Sequence, residues 1–285
     1  MKIFHMWNTA GVGSLIAKYT SKYCGVESDV TYMKYWDHFG LTSIGTAYDY
    51  GYKRSLALAR MAYHLTNFIR SYEGWDILHI HDMDRYLFPF KFIHPWIPKI
   101  IHYHGTRIRD RWDDRKNLWK YADRILVSTP DLLDGAPSDA TYIPNTYDDD
   151  LFNPEINTNK IPKALHVSYF ADDIAQEYAE NQGIELVIHD REKNPLPHDK
   201  FAELINTYAY YIDVKRDVET KSYILEGTSI TGLEALAAGA TVIDWKGDLN
   251  KGVPNENKPV NFARKIMEVY ENCLHTRGGV RINVP

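Results

Sequence analysis

The chain has 285 residues, length for about two domains of ordinary size. Its 33 Lys and Arg against 38 Asp and Glu give a formal charge of −5, which argues against broad electrostatic wrapping of nucleic acid. Hydrophobic residues at 44% and charged residues at 25% are the balance of a globular protein, which excludes disorder, collagen and coiled coil.

In chain order, residues 2–7 (KIFHMW) read as a short buried strand. It runs into a glycine-bearing turn with Gly11 and Gly13, then a helix carrying Leu15, Ile16, Tyr19 and Tyr23 that Gly25 ends. A second helix is expected over 53–70, with Leu58, Met61, Leu65 and Phe68 on one stripe and Gly74 beyond it. The runs 76–81 (DILHIH), 99–104 (KIIHYH) and 124–129 (RILVST) are short, apolar and end in polar residues. Strands separated by helices or loops imply a parallel sheet with its chemistry at the strand C-terminal ends.

The Pro/Asn/Asp-rich stretch 142–163 is where the domain boundary falls, with the N-terminal domain taken as 1–155. Strands follow at 164–170, 184–189, 208–214, 223–227 and 241–245, with helices at 172–182, 198–206 and 231–238. These make a second, smaller α/β domain over 156–258. Phe262, Ile266, Val269 and Cys273 mark a closing helix in a segment 259–285 that is expected to pack back on the first domain. Two distant cysteines, Cys24 and Cys273, exclude a disulfide framework and suit a reducing compartment. The first residues are too short and polar a run for a signal peptide, and no run approaches the ~20 apolar residues of a membrane helix. The expectation is a cytoplasmic protein, with peripheral contact at the inner membrane face left open.

The most informative stretch is Glu226 to Gly239, EGTSITGLEALAAG. Two carboxylates, Glu226 and Glu234, flank a loop of small residues that opens a helix. A helix N-terminus carries partial positive charge and unsatisfied N–H groups, so it is suited to an anion such as a diphosphate. Carboxylates on either side could accept hydrogen bonds from sugar and ribose hydroxyls. The plain alternative is a capped helix in which Glu234 only complements the helix dipole.

This stretch resembles the Glu-x7-Glu signature of the retaining, family-4 glycosyltransferases of GT-B fold. Three further segments match the family in order: DILHIH (76–81), IHYHG (101–105), and ADRILVSTP (122–130) followed by YIPNTYDDDLF (142–152). The resemblance covers most of the chain and implies two Rossmann-like domains facing a cleft, the C-terminal one small. It implies transfer of a sugar from a nucleotide-diphosphate donor to an acceptor hydroxyl with retention, the nucleotide sugar being a co-substrate and no cofactor being needed. Carried over, Glu226 contacts the transferred sugar and Glu234 the ribose. The donor site further takes Gly11, Gly13, Ser229 and Ile230, with backbone N–H groups of Thr231, Gly232 and Leu233 on the diphosphate. His104 is the donor-site histidine, at the end of its strand.

Other features carry two readings. HIH and HYH place imidazoles two apart, which on a strand share a face and could bind metal; the resemblance implies a metal-independent enzyme, so no metal is expected. The basic run Arg107, Arg109, Arg111 and Arg115 reads as a solvated face, with Arg107 and Arg109 as candidate acceptor contacts. Asp148–Asp150 reads as a turn and helix start, with a divalent-ion cluster as its other reading. The chain departs from the family after the strand 164–170, where an Arg and a Lys are usual and Tyr169-Phe170-Ala171-Asp172-Asp173 stand. Lys215 and Arg216, after the strand 208–214, are the candidate replacements. Expected partners are a nucleotide sugar and a glycan, lipid-linked or small-molecule acceptor, and no nucleic acid. The rival readings are a nucleotide-sugar epimerase on the same architecture, a non-catalytic nucleotide-sugar binding module, and a metal-dependent hydrolase built on the histidines.

Overall fold

A computed structural model describes residues 1–33, 37, 40–41, 46–48, 74–105, 107–217 and 224–277. The helix expected over 53–70 lies outside the described residues. The chain divides into two compact units, Met1–Ile143 together with the residues from Ala263 onward, and Pro144–Phe262. The first division falls at the start of the Pro/Asn/Asp-rich stretch rather than at 155, because Asn145, Thr146 and Phe152 already pack within the second unit. There Asn257 Nδ2 donates to the Asn145 carbonyl (2.8 Å), and the Thr146 hydroxyl donates to the Asn257 carbonyl (2.8 Å).

The first unit holds a seven-stranded sheet of β1 (Lys2–Met6), β2 (Glu27–Met33), β3 (Thr46–Tyr48), β4 (Ile77–His81), β5 (Lys99–Tyr103), β6 (Arg124–Val127) and β7 (Thr141–Tyr142). Its order is β3-β2-β1-β4-β5-β6-β7, and every pairing is parallel. Strand order reverses between β1 and β4, the switch point beside which doubly wound sheets bind ligands. Apolar alternation sorts the two faces. Phe4, Met6, Leu78, Ile80, Ile101 and Tyr103 belong to one buried cluster. The intervening positions His5, His79, His81 and His102 therefore occupy the other face. Register aligns them, His5 opposite His79 and His81 opposite His102.

The crossover from β1 is helix α1 (Val12–Cys24). Helix α2 (Leu87–Ile93) follows β4, and the one-turn helix α3 (Lys116–Trp119) precedes β6. Two arginines of the basic run between β5 and α3 are tied into the structure. Arg109 pairs with Asp131 (2.7 Å), Arg115 binds the buried Asp84 carboxylate, and the buried Trp112 indole donates to the Leu132 carbonyl (3.0 Å).

The second unit holds a five-stranded sheet of β8 (Ile161–Val167), β9 (Leu186–His189), β10 (Tyr208–Ile212), β11 (Thr241–Ile243) and β12 (Leu249–Lys251). Its order is β12-β11-β10-β8-β9, parallel but for the antiparallel β11–β12 edge. The switch point here lies between β8 and β10. Helices α4 (Asp172–Asn181), α5 (His198–Thr207) and α6 (Ile230–Ala237) are the connections. The strand expected over 223–227 is reduced to one antiparallel bridge, Ile224 with Arg216, so Glu226 does not sit at a strand end.

Helix α7 (Pro259–Arg277) begins in the second unit and continues in the first. Phe262, Ile266, Tyr270 and Cys273 are fully buried along it. The Tyr270 hydroxyl meets His79 Nδ1 at 2.8 Å, fastening α7 to the histidine face of the sheet. Among the described residues no helix is long and apolar enough to cross a membrane.

Tyr270→Phe removes that hydroxyl and leaves a buried imidazole nitrogen dry. The expected cost is about 1–3 kcal/mol in urea unfolding, with an unchanged slope.

Candidate functional site

At the end of β10, beside the switch point of the second sheet, stands Asp213, 3% exposed. Its carboxylate accepts from the Ser229 amide (2.7 Å) and the Ser229 hydroxyl (2.6 Å). The same Ser229 oxygen caps α6 by accepting from the Gly232 amide (3.0 Å). The Leu233 amide donates to the Ser229 carbonyl (2.9 Å). The Gly232 amide is thus taken by the cap and the Leu233 amide by the first bond of the helix. The amides of Ile230 and Thr231, in the first turn, have no hydrogen-bond partner among the described residues. Gly232 is required here by contact: a β-carbon would lie 2.1 Å from Asp213 Oδ2.

The two glutamates differ in environment. Glu226 is exposed on the loop ahead of α6, whereas Glu234 is 6% exposed within the helix. His198 Nε2, in the first turn of α5, is 3.5 Å from Glu234 Oε1. Lys215 feels Asp213, Glu234 and Arg191 electrostatically; burial pulls its ammonium below the usual lysine range and the two acids oppose that. Arg191, just past β9, is likewise lowered by burial and held up by Glu234. Lys215 Nζ also lies 5.3 Å from the Tyr169 ring centre. Arg216 turns elsewhere. It forms a two-pronged pair with Asp173 (2.8 and 2.7 Å) and donates to the Phe170 carbonyl (2.9 Å), so it does not join this group.

Sequence reasoning missed Asp213, Arg191 and His198. Asp213 was absorbed into the strand 208–214, although an acid ending an aromatic run is a signal in itself. Arg191 follows the strand 184–189 at the end where chemistry is expected.

In the first unit, His104 follows β5. Its amide donates to Asp82 Oδ1 (3.0 Å) and its Nε2 meets His81 Nδ1 at 2.9 Å. Asp82 takes φ 58°, a left-handed conformation uncommon outside glycine, directly after β4. His81 Nε2 in turn meets His5 Nδ1 at 3.2 Å. Burial lowers the proton affinity of all five imidazoles, His5 to about 3. Mutual repulsion reinforces the effect at His79, His81 and His102, and Asp82 partly offsets it at His104.

The glycine loop is closed by its own side chains: Asn8 Oδ1 accepts from the Ser14 amide (2.9 Å). A β-carbon on Gly13 would come within 3.0 Å of Asn8 Oδ1 and 3.2 Å of His81 Nε2, so Gly13 permits close approach of both side chains. Gly11 abuts the Leu41 carbonyl in the same way, at 3.1 Å. Arg107 is half-buried, and Arg109 is committed to Asp131.

No family model matches the chain, and no curated protein matches it. Solved structures do. A glycosyltransferase of avilamycin A biosynthesis, AviGT4, superposes with a TM-score of 0.60 at 10% identity, over 96% of this chain and 98% of that one. The UDP-GlcNAc 2-epimerase of Methanocaldococcus jannaschii gives 0.56 at 9% identity, over 95% and 100%. Another UDP-N-acetylglucosamine 2-epimerase gives 0.51 at 13% identity, over 97% and 89%. The fold is thus a two-domain α/β architecture of GT-B type with Rossmann-like sheets.

Two outcomes follow from this geometry. Gly232→Ala forces the Asp213 carboxylate off Ser229 and lowers unfolding free energy by about 1–3 kcal/mol, read as a lower urea midpoint. The second concerns acid. Below about pH 6.5 the unfolded chain protonates its histidines while the folded chain keeps the buried ones neutral. The unfolded state then binds more protons, so stability falls as pH drops from 7 toward 4, by up to ~1.4 kcal/mol per pH unit per histidine. Thermal melts across this range should show the fall, and His5→Gln should flatten it.

Proposed function

We propose that the chain transfers a sugar from a nucleotide-diphosphate sugar to an acceptor hydroxyl, with retention at the anomeric carbon. The observation that carries this reading is the buried Glu234 with Lys215 and Arg191 in electrostatic reach, at the switch point of the second sheet. A buried carboxylate held near two cations suits a ligand that presents hydroxyls beside a diphosphate. In this reading Glu234 accepts from the ribose hydroxyls. Lys215 and Arg191 neutralise the diphosphate as it leaves, supplying the pair of cations absent after β8, and the amides of Ile230 and Thr231 add the helix N-terminus. Glu226, exposed on its loop, meets the transferred sugar. The acceptor is a glycan, a lipid-linked sugar or a small molecule, and the enzyme works in the cytoplasm.

The likeness to two 2-epimerases at similar TM-scores favours one further reading, conversion of the nucleotide sugar itself. An epimerase acts without an acceptor, and a glycosyltransferase turns over fully only with one.

The test is a panel of nucleotide sugars, first screened by thermal shift and then incubated with and without acceptors, with products read by mass spectrometry and anomeric NMR. A raised melting point, acceptor-dependent release of the nucleoside diphosphate and an α-linked product from an α-linked donor are expected. Glu234→Ala should weaken donor binding by ~10–100-fold through loss of charge-assisted hydrogen bonds of about 1.5–3 kcal/mol. Glu226→Ala should abolish transfer with the fold intact. Turnover unchanged in Glu226→Ala removes that residue from the site, and an altered donor sugar without acceptor establishes the epimerase.

A further inference from the structure

Five imidazoles sit together on one face of β1, β4 and β5, and their unmet hydrogen bonds are unusual. Among the described residues, His5 Nε2, His79 Nε2, both ring nitrogens of His102, and His104 Nδ1 are buried with no hydrogen-bond partner. A buried polar atom without a partner costs about 1–3 kcal/mol, so this many in one cluster call for a ligand that takes up lone pairs. We propose that His81, His102 and His104 form a binding site for a divalent transition-metal ion of zinc type.

The ring nitrogens that these three residues can offer lie within 4.8 Å of one another. An ion with metal–nitrogen bonds of about 2.0–2.1 Å holds tetrahedral ligands roughly 3.4 Å apart, so small shifts of the three rings reach that spacing. Two features prepare it. His81 Nδ1 and His104 Nε2 already meet at 2.9 Å in a hydrogen bond, a contact that an ion would replace by opening it slightly. The Asp82 carboxylate anchors the backbone of His104 and so its direction. His102 is 1% exposed and neither ring nitrogen has a partner among the described residues, so its lone pair is available to an ion.

A second triad, His5, His79 and His81, is wholly buried. His104 is half-buried at the C-terminal edge of the sheet, so the proposed triad is the less enclosed of the two. Three neutral nitrogen donors without a carboxylate favour Zn2+, Co2+, Ni2+ or Cu2+ over Mg2+ or Ca2+.

The assignment does not rest on sugar transfer, and its test reads metal alone. The full chain is stripped with a chelator, dialysed, and titrated with Co2+ and Zn2+. One Co2+ per chain is expected, with the intense visible absorption of a low-coordinate ion, displaced by Zn2+. Zn2+ should also raise the melting temperature, since only the folded chain presents the triad. His102→Ala should weaken binding by at least ~10-fold, on the scale of losses from metal-site substitutions. If that variant does not fold, the melting shift of the intact chain and the Co2+ spectrum decide. A Co2+ spectrum no different from the free aqua ion, or equal uptake by folded His102→Ala, overturns the assignment.

Discussion

The second unit depends on the contact of Asp213 with Ser229. An acid at the end of a strand receives both the amide and the hydroxyl of a helix N-cap, and so ties β10 to α6. This sets where the helix begins and hence where Glu234, a turn further on, is buried. It also explains the glycine at 232, because no side chain fits against that carboxylate. A negative charge stands at the helix end that sequence reasoning assigned to a diphosphate. Cations in the same neighbourhood then gain weight: Lys215 and Arg191 must balance Asp213 and Glu234 before they can serve an anionic ligand.

The first unit has a different economy. Its sheet is lined on one side by ordinary apolar packing and on the other by imidazoles that burial keeps neutral. Register makes the cluster. Each histidine alternates with an apolar residue along its strand, and parallel pairing brings the strands' histidines to adjacent places. Gly13 leaves room for the His81 ring, and Tyr270 reaches in from the final helix.

Much of this was legible from residues alone. The runs around Phe4, Ile80, Ile101 and Leu126 are short, mainly apolar and end in polar residues, as strands of a covered parallel sheet do. Strand β2 escaped because Glu27, Ser28 and Asp29 break any apolar pattern, and β12 because Leu249, Asn250 and Lys251 are all exposed. The stretch 223–227 misled because Ile224 and Leu225 suit a strand, yet pairing stops at a single bridge. The spacing of HIH and HYH announced a shared face on each strand. That His5 joins them depends on β1 lying beside β4, which no local pattern encodes. Roles within the Glu226–Gly239 stretch were harder still, since the partner that uses up its amides, Asp213, is distant in sequence.

Helix α7 leaves a mark on how the molecule comes into being. The first unit is discontinuous, interrupted at Ile143 and resumed at Ala263. On the ribosome, its sheet therefore emerges early with His79 still lacking Tyr270, and it waits for the whole of the second unit to be synthesised. At about 5–20 residues per second that interval lasts many seconds. During it His79 goes without the Tyr270 hydroxyl, its hydrogen-bond partner in the finished fold.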